Sequence, residues 1–196
     1  MFSNALSFAF LAGAAMASRS TPTPSSTIGP DEPFGLMSLR SASPIHFGQF
    51  QAALSSIFLF LPSQNATCDD GQKPTNPNYA TFALSEDGGL YLYANSATPQ
   101  QLFVDRSGMG QGKLGYTTGA QPAPRNSERT AFSIDEYGDL SFNGAGFIAC
   151  PNSIDGAWTI WVDAGFANPG GNSDCLGLAA RTVKIEEGAN SCSYTS

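Results

Sequence analysis

His46 is the single histidine in a chain of 196 residues, and that count excludes chemistry needing two imidazoles, such as HExxH zinc sites and the two-histidine, one-carboxylate iron triad. No metal or cofactor is expected. His46 follows Ser43-Pro44-Ile45, and no GxSxG nucleophile elbow occurs to serve it. Asp135, Glu136 and Asp139, and Asp155 with Asp163, are carboxylates of the type a glycosidase uses as acid and base. They stand beside glycines in turn-like stretches, which assigns them to solvated loops. Gly110-x-Gly112-x-x-Gly115 has dinucleotide-binding spacing, but no strand–helix–strand unit surrounds it, and Leu114 stands where a phosphate loop needs Ser or Thr. No residue is assigned a catalytic role.

Aromatic side chains are the better candidates for recognition. Residues 90–95 (LYLYAN) alternate Leu90 and Leu92 against Tyr91 and Tyr93, and residues 158–163 alternate Trp158, Ile160 and Val162 against Thr159, Trp161 and Asp163. Tyr91, Tyr93 and Trp161 fall on the polar faces, where rings either stack on sugars or cover a second apolar cluster. Asn65-Ala66-Thr67 is an N-glycosylation acceptor placed after Pro62, as an exposed loop requires.

Cys68, Cys150, Cys175 and Cys192 form an even set, and behind a secretion signal they imply two disulfides. Three pairings are open. Cys150–Cys175, across the Trp-containing hairpin, and Cys68–Cys192, tying the C-terminus to the core, are favoured, each worth roughly 3–4 kcal/mol of lost unfolded-chain freedom.

The elements that must position these residues are short strands. Gly 21 and Pro 13 are scattered between apolar runs, which predicts many turns. Hydrophobic residues at 41% suffice for a core, while charged residues at 13% are about half the usual 25%. A net charge of −7 with no basic cluster disfavours nucleic acid. Residues 5–16 are apolar and end at Ala15-Met16-Ala17, so 1–17 reads as a secretory signal peptide; no later run is long enough for a membrane span. Residues 18–33 are rich in Ser, Thr and Pro and read as a disordered arm, leaving 34–196 as a single β domain. Residues 57–61 form an apolar run stopped by Pro62, suited to a central strand. Phe82-x-Leu84-x3-Gly88-x-Leu90-x-Leu92 returns as Phe132-x-Ile134-x3-Gly138-x-Leu140-x-Phe142, each copy reading strand, turn, strand. The fold class is therefore all-β: a single antiparallel β-barrel or sandwich of hairpins with a possible pseudo-repeat.

RSASPIH (40–46), FVDRSGMGQGKLGYTTGAQPAPRNSE (103–128), FIACPNSIDGAW (147–158) and NPGGNSDCLGLAAR (168–181) resemble the PhiA family of fungal cell-wall proteins. The resemblance runs from Phe34 to the C-terminus and takes in all four cysteines. It implies a secreted, non-enzymatic wall protein acting in phialide and conidium (asexual spore) development, in a family that includes IgE-binding allergens. No catalytic residues come with it. The expected partner is cell-wall polysaccharide or mannoprotein; the alternatives are a lectin-like module stacking sugar on Trp161, Tyr91 and Tyr93, and a wall-modifying glycoside hydrolase.

Overall fold

Alternating apolar residues between closely spaced turns give strands too short to stand alone, which must close on one another to bury their inner faces. In a computed structural model, which describes residues 28–68, 78–185 and 189–196, they do so in a barrel. The strands are β1 (Phe34–Leu39), β2 (Phe50–Ala53), β3 (Ser56–Leu59), β4 (Thr67–Cys68), β5 (Phe82–Leu84), β6 (Leu90–Leu92), β7 (Gln100–Asp105), β8 (Lys113–Thr118), β9 (Phe132–Ile134), β10 (Asp139–Phe142), β11 (Phe147–Cys150), β12 (Trp158–Val162), β13 (Leu176–Lys184) and β14 (Cys192–Ser193). Helical structure among the described residues consists of two three-residue 3-10 turns.

The ring runs β1-β5-β6-β7-β8-β3-β12-β11-β13 and returns to β1, all pairs antiparallel. The closing seam is long, from Phe34 opposite Lys184 to Leu39 opposite Ala179. Nine strands cannot alternate direction around a closed ring, so one junction must depart from a regular ladder. That junction is where β3, β8 and β12 converge: β3 meets β8 only at Ser56–Gly115, and β8 also meets β12 directly at Lys113–Trp161. Glycine makes the approach possible, since a β-carbon at Gly115 would lie 2.7 Å from the Ser55 carbonyl oxygen and 2.8 Å from the Phe103 ring.

Inside the ring, Phe34, Phe50, Phe82, Leu90, Leu102, Phe147 and Ile160 form one core with their neighbours. Leu90 and Leu92 face inward, as do Ile160 and Val162, so both alternating stretches present the faces that the sequence assigns them. The two copies of the 82–92 pattern are both hairpins, with Gly88 at φ 81° and Gly138 at φ 82°. Their fates differ. The β5–β6 hairpin belongs to the wall, while β9–β10 hangs on β13 outside the ring.

The C-terminus is seated on the barrel. β14 pairs with β4 beside the Cys68–Cys192 disulfide, and the Gln100 amide both accepts from Tyr194 N–H and donates to Tyr194 C=O, each at 2.8 Å. Burial pushes the Tyr194 phenol up to about 12, so it stays neutral while its hydroxyl accepts from Thr81 N–H at 3.2 Å. Thr195 takes a hydrogen bond from the Tyr116 hydroxyl and two more from the Leu54 and Ser55 amides. Cys150–Cys175 joins β11 to the loop entering β13, so both favoured cysteine pairs are bonded. The expected leader at 1–17 and most of the arm at 18–33 lie outside the described residues. The last part of that arm sits on the barrel: Ile28 packs against the core, Asp31 N–H donates to Leu84 C=O, and Glu32 pairs with Lys184 at 2.7 Å. An apolar residue and a charge with a partner outweigh the arm's polar composition there.

Candidate functional site

Most of the residues singled out for chemistry are put to structural use, while the Glu136 side chain is exposed. Asp135 Oδ1 accepts from Tyr137 N–H at 2.9 Å and Asp139 N–H at 2.8 Å, closing the β9–β10 turn. Asp139 holds Arg181 at 2.6 Å, which keeps the guanidinium pKa above its ordinary value. Asp163 Oδ1 accepts from Gly165 N–H at 3.0 Å. Asp155 belongs to a 3-10 turn at φ 49°. His46 Nδ1 accepts from Arg40 N–H at 3.1 Å, and its ring stacks on Phe47 with centroids 3.8 Å apart. At Gly112, a β-carbon would lie 2.1 Å from the Val162 carbonyl oxygen, so the glycine-rich run serves close packing of backbone on β12. Asn65 is exposed at φ 50°, its side-chain oxygen accepting from Ser63 Oγ at 2.9 Å.

The three expected stacking residues are not brought together. Tyr91 lies on β6 between Ala83 and Gln101, and Tyr93 follows it with its hydroxyl 3.4 Å from Asn95 Oδ1. Trp161 lies on β12, two strands further round the ring beyond β7 and β8. All three are half-buried. The Trp161 indole is covered by the 168–171 loop: a β-carbon at Gly170 would lie 2.6 Å from its Cη2, and Gly170 N–H donates to Gln111 Oε1 at 2.8 Å. The Trp161 Nε1 is buried with no hydrogen-bond partner in the described structure.

A different pair of rings is exposed: Phe47, to which the sequence pattern assigns no role, and Phe60, which it places in the apolar run 57–61. Phe47 is 63% and Phe60 46% exposed, and both line a shallow groove of about 290 Å³ with Met37, Gln49, Gln51 and Asn78. Each is held in the left-handed region, Phe47 at φ 63° and Phe60 at φ 59°, a conformation that costs a bulky L residue roughly 1–2 kcal/mol. Hydrogen bonds enforce it. Phe47 N–H donates to Ser38 C=O and Ser38 N–H to Gly48 C=O, both at 2.8 Å. Beyond Phe60, the Gln51 amide brackets Leu61, donating to its C=O at 2.7 Å and accepting from its N–H at 2.6 Å, while Asn78 Nδ2 reaches the same carbonyl at 2.5 Å. Gly48 leaves room for the Phe60 ring, whose Cζ would be 2.9 Å from a β-carbon there. The only sequence signals were a Phe-Gly step at 47–48 and the end of an apolar run before Pro62, neither of which reports a positive φ.

No helix among the described residues is long and apolar enough to cross a membrane, and no cluster of metal-ligating side chains occurs among them. No solved structure gave a match. The chain is similar to proteins named cell wall protein phiA: that of Aspergillus fumigatus is 60% identical over 162 residues, 83% of this chain and 84% of the relative. The Aspergillus niger protein is 57% identical over 173 residues, covering 88% and 91%, and the Emericella nidulans protein 52% over 189 residues, covering 96% and 95%. A family model matches residues 34–195, which span the whole ring and its C-terminal anchor, and the chain belongs to the PhiA-like secreted protein family.

Proposed function

We propose that this secreted protein is a structural component of the fungal cell wall that acts without catalysis, contributes to phialide and conidium development, and is retained by wall polysaccharide or mannoprotein. The observation that carries the reading is identity of 52–60% over most of the chain to proteins named for the cell wall. The architecture supports it. Two disulfides and a closed ring make a body suited to an oxidising exterior, and of the carboxylates that a hydrolase reading needs, Asp135 and Asp163 bond turn amides and Asp139 an arginine. Asn65, exposed beside β4, is the site proposed to carry N-linked glycan.

Fractionating sporulating cultures and immunoblotting the washed wall tests this. Enrichment in the wall fraction is expected, as is altered conidiation when the gene is deleted. Recovery only from the cytosol would overturn it.

A further inference from the structure

The groove at Phe47 and Phe60 has the makings of a recognition site. Strained residues persist where the surroundings over-determine them, and they concentrate where a side chain must be presented to something. Here two apolar rings are held toward solvent by hydrogen bonds from Ser38, Gln51 and Asn78, so their presentation is pre-organised and little ordering is left for a ligand to impose.

The lining names the ligand chemistry. Met37, Phe47, Gln49, Gln51, Phe60 and Asn78 include no charged side chain, so neither a polyanion nor a cation finds a counter-charge, and the chain's net charge of −7 further opposes a polyanion. Flat apolar rings beside the exposed amide of Gln49 suit a partner with apolar faces and polar edges. A β-linked, glucose-type pyranose chain has that form: its equatorial hydroxyls point outward around the rim, and axial C–H bonds cover both faces. Met37 and Gln49 also line a second hollow of about 270 Å³ with Tyr79, Val183 and Lys184, whose ammonium is paired with Glu32 at 2.7 Å, so the two hollows adjoin and offer a polymer more than one contact.

We propose that this trough binds a neutral β-linked polysaccharide chain, with Phe47 and Phe60 stacking on pyranose faces and Gln49 hydrogen-bonding hydroxyls between them. The assignment rests on the wall-retention reading above and gives it a site.

Glycine separates ring from fold. Phe47→Gly and Phe60→Gly accept the positive φ without strain, so they remove the rings while leaving the backbone at ease. Retention of the purified secreted protein on insoluble β-1,3-glucan, chitin and α-mannan is measured for wild type, the double glycine variant and a Phe47→Tyr/Phe60→Tyr variant, with thermal melts of each. Wild type is expected on β-glucan or chitin but not α-mannan. The glycine variant should bind at least tenfold more weakly, and the tyrosine variant should restore binding. A glycine variant that binds like wild type overturns the groove assignment and leaves the retention reading intact. Wild-type binding to mannan alone overturns the β-linked ligand, and no binding to any of the three overturns both groove and polysaccharide retention, while wall fractionation tests wall residence independently. Should the glycine variant melt well below wild type, failure of the stably folded tyrosine variant to bind would overturn the proposal in its place.

Discussion

Trp161 and the Phe47–Phe60 pair are aromatic residues treated in opposite ways by the same barrel. Trp161 occupies an outward position on a regular strand, yet the 168–171 loop lies over its indole. Phe47 and Phe60 lie beyond regular strands, in backbone that bulky residues avoid, and remain exposed. Strand alternation says which side of a wall a residue faces; what lies on that side depends on loops from elsewhere in the chain. Strain held in place by hydrogen bonds is the better guide to a ring that is meant to be met.

Truncating each side should therefore give opposite results. Trp161→Ala removes the floor beneath the 168–171 loop and is expected to cost about 3 kcal/mol in denaturant unfolding, with polysaccharide retention per folded molecule unchanged. Loss of retention without loss of stability would reverse the comparison. Gly170→Ala forces a β-carbon to within 2.6 Å of the indole at φ 65° and should cost about 2 kcal/mol, again without affecting retention. At the groove, a β-carbon from Gly48→Ala meets the tip of Phe60 at 2.9 Å and, less tightly, the Ile45 carbonyl oxygen at 3.3 Å. The ring can swing away, so about 1 kcal/mol is expected, and here retention should weaken several-fold. An unchanged affinity would mean that the orientation of Phe60 is irrelevant.

The smallest effect concerns charge, which the groove lining lacks and the β7-to-β8 side possesses. The Arg106 guanidinium, 2.6 Å away, holds the Glu128 carboxyl below its ordinary range. The folded-state pKa is thus lower than the unfolded one, so the pair stabilises fully above the ordinary carboxylate value of about 4.5, and its contribution fades as pH falls through that lowered pKa. Both side chains are a third or more exposed, which limits the gain to below about 1 kcal/mol. Urea melts of wild type and Glu128→Gln should differ slightly at pH 7 and coincide at strongly acidic pH; an equal difference at both would assign the effect to packing.

Much of the wall was legible because it obeys local rules. Leu90 and Leu92 against Tyr91 and Tyr93, the paired glycines 88 and 138, and an even set of cysteines each carry their meaning within a few residues or by count. Ring closure was not legible, because nothing near Phe34 announces that Lys184 will lie opposite it. The repeat was visible, but its two copies take different places, since only β10 finds β13 as an outside neighbour. Phe60 continues the apolar run 57–61 in sequence, but the strand ends at Leu59 because Gln51 and Asn78 capture Leu61 and turn the chain. The strand around Trp161 says only which way its indole points, while the covering loop ends in Gly171 and is held by Gln111, 59 residues away from Gly170.

The seam between β1 and β13 also dictates when the molecule can be finished. Phe34 waits for Lys184, and Cys68 for a partner 124 positions later, so a nascent chain carries an uncovered β1 edge until β13 has been made. Such distant pairings fold slowly and invite association with other edges. Closure of the barrel therefore waits for β13, and the Cys68–Cys192 bond for Cys192, however early the strands between them have paired.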